Sequence, residues 1–246
     1  MSDQALVLKE VRRIRHLLPC VGTLKLHSLL QRFLADHCIK MGRDKLNKLL
    51  KDNDLLVKTR KRRYVTTTQS NHQFKVYRNL YNNQPCERPD QVWVSDITYI
   101  RTMEGFCFLA LITDVYSRRI VGFDISDSLE LEGCYRALKF ATKGKNDYLE
   151  QLIHHSDRGS QYCSHRYTAL LKAKGIRISM ADKGNCYQNA IAERVNGILK
   201  REFELDNNFK NKKQAVQTAK QAIKIYNQNR PHRAINLKTP NSLYAA

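Results

Sequence analysis

Residues 154–202 read HHSDRGSQYCSHRYTALLKAKGIRISMADKGNCYQNAIAERVNGILKRE, and the periods of this stretch and its immediate flank decide the fold. Residues 151–155 predict a strand, 164–174 a helix, 176–180 a second strand and 187–204 a second helix, an alternation that builds a sheet covered by helices. Asp157 follows the apolar pair Leu152-Ile153 in a Ser-Asp-Arg-Gly turn, and Glu193 lies on the last helix, with 35 residues between them. At about 100° per residue, Asn189, Glu193, Asn196 and Lys200 fall in a narrow arc while Ile191, Val195 and Ile198 gather opposite. One face packs; the other carries a carboxylate, amides and a cation.

Upstream, Val92–Ile100 reads VWVSDITYI, a β-branched and aromatic run that predicts a strand and carries Asp96. Residues 106–113 and 120–125 predict two further strands, joined as a hairpin around Tyr116-Ser117-Arg118. Residues 130–143 predict a helix with Leu131, Cys134, Leu138 and Ala141 on one stripe. The expected class is α/β, a mixed five-stranded sheet flanked by helices.

A carboxylate inside a strand is rare unless something pairs with it. Three acids from three separate elements, Asp96, Asp157 and Glu193, suit divalent cations, because Mg²⁺ takes hard oxygen ligands and leaves positions for water and phosphate. Taken singly, Asp157 also suits a turn and the Glu193 face an ordinary solvated helix surface; their joint occurrence is what favours metal chemistry on phosphates. Asp114 reads as a turn residue and Trp93 as core packing. His154 and His155 are strand neighbours pointing to opposite faces, so at most one can look into a site. Arg158 and Gly159 are expected to shape the loop beneath a phosphate, Gly197 to let a DNA strand approach, Lys200 to hold the phosphate backbone, and Arg158 and Asn189 to contact the DNA.

The chain of 246 residues is 42% hydrophobic, enough for a sizeable core, and carries a formal net charge of +20. The charge is uneven: residues 1–90 hold 19 lysines and arginines against 8 acids. Such a balance implies a polyanionic partner, nucleic acid or an anionic membrane surface. No apolar run approaches a membrane span and no signal-peptide pattern opens the chain, which disfavours the membrane. The seven cysteines are scattered with no Cys-x-x-Cys pair, as expected of reduced thiols in the cytoplasm and not of a zinc site.

Residues 3–18, 24–35 and 43–53 predict three amphipathic helices. The last two, joined through Gly42, suit a helix-turn-helix whose second helix presents Arg43, Lys45, Asn47 and Lys48 to DNA; a helical bundle with lysine-rich solvated faces is the alternative. Arg60, Lys61, Arg62 and Arg63 form a basic arm suited to phosphates. The polar stretch that follows reads as a linker with one helix over 74–80. Residues 211–228 predict a further helix ended by Pro231, with Arg230 and His232 in a loop that could touch DNA. The expected organisation is 1–57 helical module, 58–90 arm and linker, 91–205 catalytic core, 206–246 C-terminal helix and tail. There is no Ser/His/Asp or Cys/His nucleophile arrangement, Walker loop or dinucleotide fingerprint, so the nucleophile is expected to be external.

Asp96, Asp157 and Glu193 with their spacing, the phrases WVSDITYI and HSDRGSQY, KGNCYQNA before the glutamate, Lys200 seven residues after it, and YNQNRPHRAINLKTP near the end together closely resemble the catalytic protein of insertion-sequence-three family transposases, within the retroviral-integrase-like superfamily. Gln188 stands where family members often have Asp, and Arg194-Val195-Asn196 where Ser and two aromatics are common. The resemblance implies a ribonuclease-H-like core in which the three acids hold two Mg²⁺ ions (Mn²⁺ also suits), and a DNA transposase that cleaves and joins element ends. It further implies terminal inverted repeats and target DNA as partners, a homo-oligomer, and an upstream-frame protein or fusion whose segment this chain lacks. The competing expectations are a DNA-binding regulator without catalysis and a ribonuclease-H-like nuclease.

Overall fold

A computed structural model describes residues 2–57, 72–145 and 149–245. The centre is a five-stranded sheet: β1 (Val92–Thr102), β2 (Gly105–Asp114), β3 (Ile120–Ser126), β4 (Ile153–Ser156) and β5 (Arg177–Met180), in the order β3-β2-β1-β4-β5. The hairpin strands β1, β2 and β3 pair antiparallel, while β4 and β5 add in parallel on the other side of β1. Parallel pairs need a crossover, and the sequence supplies helices for it. The segment holding α4 (Leu131–Thr142) connects β3 to β4, and α5 (Ser160–Cys163) and α6 (His165–Ala173) connect β4 to β5.

The sheet has an apolar cluster on each face. Trp93, Ala110 and Ile112 pack with Leu138 of α4 and Tyr167 and Leu171 of α6. Ile100, Leu109 and Leu111 pack on the opposite side with Val195, Ile198 and Leu199 of α7 (Ala190–Glu202) and Ala219 and Ile223 of α8 (Lys212–Asn229). The segment after residue 205 therefore covers one face of the sheet: Asn227 brackets Ile120 with two 2.9 Å hydrogen bonds, and Phe209 joins the backbone of Arg101 and Met103. The short α9 (Pro240–Tyr244) brings Tyr244 to Asp90 at 2.8 Å. Gly122 is required where α4 crosses β3, since a Cβ there would meet the Ala137 carbonyl at 2.4 Å and the Ala141 Cβ at 2.7 Å.

At the front, α1 (Asp3–Leu17), α2 (Thr23–Asp36) and α3 (Arg43–Asp52) bury Val7, Val11, Leu26, Leu30, Leu46 and Leu50 against one another. The apolar stripes legible in the sequence meet here, and the lysine-bearing face of α3 stays in solvent. This module meets the core through an ion pair of Lys25 with Glu202, 2.7 Å long.

One predicted element is absent. Residues 74–80 are not helical but run extended beside the sheet, with the Leu80 N–H donating to Ser179 Oγ at 2.8 Å and Tyr77 packed into the α4 and α6 side. The alternating Phe74, Val76, Arg78 and Lys75, Tyr77, Asn79 suit an extended strap at the β5 edge, and tertiary contact there outweighs a weak helical pattern.

Candidate active site

The register of the sheet assembles the site. Parallel pairing aligns Val92 through Ser95 with Ile153 through Ser156, so Asp96 and Asp157 are each the next residue after the matched serines. Adjacent strands lie about 4.8 Å apart, and both acids emerge where β4 ends and β1 continues alone on that side. Crevices at the carboxyl ends of parallel strands are where open α/β sheets bind ligands. Asp96 accepts from the Ile97 N–H at 2.9 Å and from Asn196 Nδ2 at 2.8 Å. Asp157 Oδ1 accepts from the Gly159 N–H at 3.0 Å, and a Cβ on Gly159 would stand 3.1 Å from that oxygen, so the glycine lets the turn close on the carboxylate.

Glu193 comes from α7, whose start is fixed by Asn189: its Nδ2 donates to the Ser95 carbonyl at 3.1 Å. The Glu193 side chain is exposed at the mouth, while Asp96 and Asp157 are half-buried. Burial first, then the charge of Asp157 and more weakly that of Glu193, push the Asp96 carboxyl up to about 7, against the pull of Asn196 and the Ile97 N–H. Burial and Asp157 likewise raise Glu193. The three carboxylates thus share one electrostatic neighbourhood. Among the described residues no group of three His, Cys, Asp or Glu side chains is arranged to hold a metal ion. The candidate donors are hard carboxylate oxygens, a set that fits Mg²⁺ or Mn²⁺ and not a thiolate-seeking metal.

Other predicted residues fall elsewhere. Asn189, Arg230 and His232, expected at DNA, are buried: Asn189 is spent on β1, Arg230 pairs with Glu202, and His232 lies beside the Tyr226 ring, its pKa pushed down to about 3 by burial and then by Arg230. The contact of α7 with β1 turns Asn189 inward, and packing of the C-terminal segment against α7 does the same for Arg230 and His232. Arg158 donates to the Ala181 carbonyl at 2.7 Å and reaches Asp182, so it shapes the loop. Lys200 stands 3.8 Å over the Tyr99 ring, half-buried and two turns beyond Glu193. Gly197 admits the Arg201 guanidinium, which donates back to its carbonyl, in place of the DNA strand the sequence suggests. Arg43, Lys45 and Lys48 are exposed on α3, Arg43 beside Asp44. Arg60, Lys61, Arg62 and Arg63 lie outside the described residues.

His154 and His155 do point oppositely, and neither reaches the acids: His154 Nε2 bonds Ser95 Oγ and the Tyr167 hydroxyl, His155 Nδ1 bonds Ser179 Oγ, and burial holds both imidazoles neutral. Asp114 closes its turn on Ser117 and receives the Asp90 N–H, and Trp93 is fully buried with its indole N–H on Asp90. Asn196 is the residue whose part sequence reasoning missed. Its place in the Glu193 arc was visible, but its bond to Asp96 depends on how α7 crosses β1.

The integrase core domain family matches residues 87–186, and a second integrase core domain model matches 174–240. The insertion element IS600 31 kDa protein of Shigella sonnei is 40% identical over 213 residues, 86% of this chain and 78% of that protein. The transposase InsF of insertion sequence IS3A from Escherichia coli K12 is 37% identical over 133 residues, covering 54% of this chain and 46% of the transposase. Among solved structures, the catalytic core domain of HTLV-2 integrase in complex with magnesium superposes with a TM-score of 0.50 at 16% identity. It covers 68% of this chain and 99% of that domain, a likeness of fold.

Proposed function

Because the chain belongs to the insertion-element transposases built on an integrase core, a class of polynucleotidyl transferases, we propose that it cleaves and joins the ends of a mobile DNA element by divalent-metal-dependent phosphoryl transfer at Asp96, Asp157 and Glu193. The observation that supports this reading is the β1/β4 register, which aligns Ser95 with Ser156 so that Asp96 and Asp157 each follow a matched serine, while Glu193 on α7 is near enough to feel the charge of Asp157.

When bound, a pair of Mg²⁺ ions activates a water or a DNA 3′-hydroxyl and stabilises the leaving oxygen. The protein's own residues supply the frame. Asp96, Asp157 and Glu193 would hold the ions, Asn196 steers one oxygen of Asp96, and the Gly159 N–H steers one oxygen of Asp157. Lys200, two turns beyond Glu193, offers its ammonium to the DNA backbone. Hydrolysis frees a 3′-hydroxyl at the element end, and transesterification by that hydroxyl joins it to target DNA. Mg²⁺-dependent nicking and strand joining on a duplex carrying the repeat that flanks the gene tests the proposal.

The raised Asp96 pKa has a consequence for stability. An acid whose folded pKa is about 7 against an ordinary 3.8 favours the protonated fold, so its penalty is absent at low pH, grows as pH rises through that window, and is complete above it. Asp96→Asn is therefore expected to stabilise the metal-free protein at pH 8 by roughly 1–2 kcal/mol after allowance for solvent screening, and to change little near pH 4. Thermal melts in EDTA at the two pH values measure it.

End recognition is assigned to the exposed face of α3. Replacing Lys45 and Lys48 together by Ala should weaken binding to any duplex and flatten the log-affinity against log-salt slope by about 2. An unaltered slope in salt-titrated anisotropy removes this face from the DNA. The other partners in this reading are further copies of the chain and an upstream-frame segment.

A further inference from the structure

We infer that the seam where α2, the β2–β3 turn, α7 and the loop after α8 meet holds a phosphate-sized oxyanion, with Arg118 and His232 as its donors. The inference does not draw on the carboxylate site: Glu202, which marks the seam, ends α7 about 13 Å along the helix from Glu193. His232 is 8% exposed, and neither of its ring nitrogens has a hydrogen-bond partner among the described residues. Arg118 Nε and Nη1 are buried and equally without one. The Arg118 backbone is fixed, its N–H donating to the Asp114 carbonyl at 2.9 Å and its carbonyl accepting from the Tyr226 hydroxyl at 2.9 Å. The Tyr226 ring in turn lies 6.4 Å from the His232 ring and 5.7 Å from the Arg230 guanidinium.

The surroundings carry more positive charge than they neutralise. Arg230 and Lys25 share the single carboxylate of Glu202, while the charge of Arg118 reaches His232 and that of the exposed Arg194 reaches Lys25. Lys25 shows the surplus: its ammonium stands 2.7 Å from Glu202, yet burial first and then the charge of Arg230, with a smaller push from Arg194, lower its pKa. Burial and then Arg230, Arg118 and Lys25 depress His232 in the same way. A buried donor left unpaired is costly, and a charged one more so. An oxyanion answers both deficits at once, because its oxygens accept from the planar guanidinium and the imidazole while its charge offsets the cations. A metal cation would be repelled here, and an apolar ligand would leave the nitrogens unpaired.

The test titrates the full chain with inorganic phosphate against chloride at equal ionic strength. Phosphate should raise the melting temperature and bind with measurable heat, and Arg118→Gln and His232→Gln should each weaken that binding about 10-fold. The imidazole signals of His232, identified by their loss in His232→Gln, should move as phosphate is added. Arg194→Gln, on the exposed rim, should weaken binding about threefold and keeps the test decisive where a buried variant does not fold. A second arm reads the source of the anion. Loss of duplex affinity in Arg118→Gln and His232→Gln assigns it to a DNA backbone phosphate, and unchanged duplex affinity to a free ion, either of which upholds the site. Phosphate that binds no better than chloride, His232 signals that stay still, or equal binding by the parent and every variant overturns the inference.

Discussion

Asp157→Asn should abolish Mg²⁺-dependent cleavage and joining of repeat ends, a loss on the order of 10³-fold or more, while affinity for the same duplex stays within a few-fold. Asp157 sits one residue beyond the end of β4, half-buried, with one oxygen already engaged by the Gly159 N–H. Asparagine keeps that acceptor and the size of the side chain, so the turn survives and only the anionic ligand is lost. Since a 1.36 kcal/mol change in barrier is tenfold in rate, the loss amounts to about 4 kcal/mol of transition-state stabilisation. A DNA-binding regulator would show no activity in either protein, and an active variant would remove Asp157 from the metal site. Glu193→Gln should behave alike, with a milder effect on stability because its side chain is exposed.

The largest expected effect on folding lies at the other end of the same helix. Glu202, the last residue of α7, accepts two bonds from the fully buried Arg230, 2.8 Å from Nε and 2.7 Å from Nη2, and a third of 2.7 Å from Lys25. Burial works to raise the Glu202 carboxyl, but the bonds and charges of Arg230 and then Lys25 hold it below the usual carboxylate range. Glu202→Ala strands a buried guanidinium and a half-buried ammonium, and breaking such a cluster from one side costs about 3–5 kcal/mol. With total stabilities of about 5–15 kcal/mol typical of folded domains, that should be visible as a large fall in urea midpoint. Lys25→Ala removes only the more accessible partner and should cost far less, chiefly loosening the front module from the core. By linkage, the stabilisation from Glu202 is present above its ordinary pKa of 4.5 and is lost as pH falls through the lower folded value. A Glu202→Ala protein as stable as the parent would show that the cluster contributes nothing net.

Much of this architecture was legible before any coordinates. The strand carrying Asp96, the hairpin around Ser117, the α4 stripe and the helices at 164–174, 187–204 and 211–228 all lie within a few residues of the predicted bounds. Each buries one face, and a face repeats with the period of its own backbone. The strap over 74–80 escaped because its structure comes from the β5 edge it lies against and from no period of its own. The surface reading of Asn189, Arg230 and His232 failed for a related reason: polarity marks a residue as able to meet DNA or the protein's own backbone, and does not say which.

By itself the sequence determined the identity and order of the elements, the basic front, and the three acids with the family they resemble, since all of these are properties of neighbours along the chain. Only the tertiary structure decided that Ser95 lies level with Ser156, which sets Asp96 beside Asp157, that Asn196 rather than solvent meets Asp96, and that Arg230 turns inward to Glu202. Those outcomes depend on the pairing register and helix crossing of segments some 30 to 100 residues apart. A one-residue slip in register would reverse which face each side chain takes, and no local pattern records that choice.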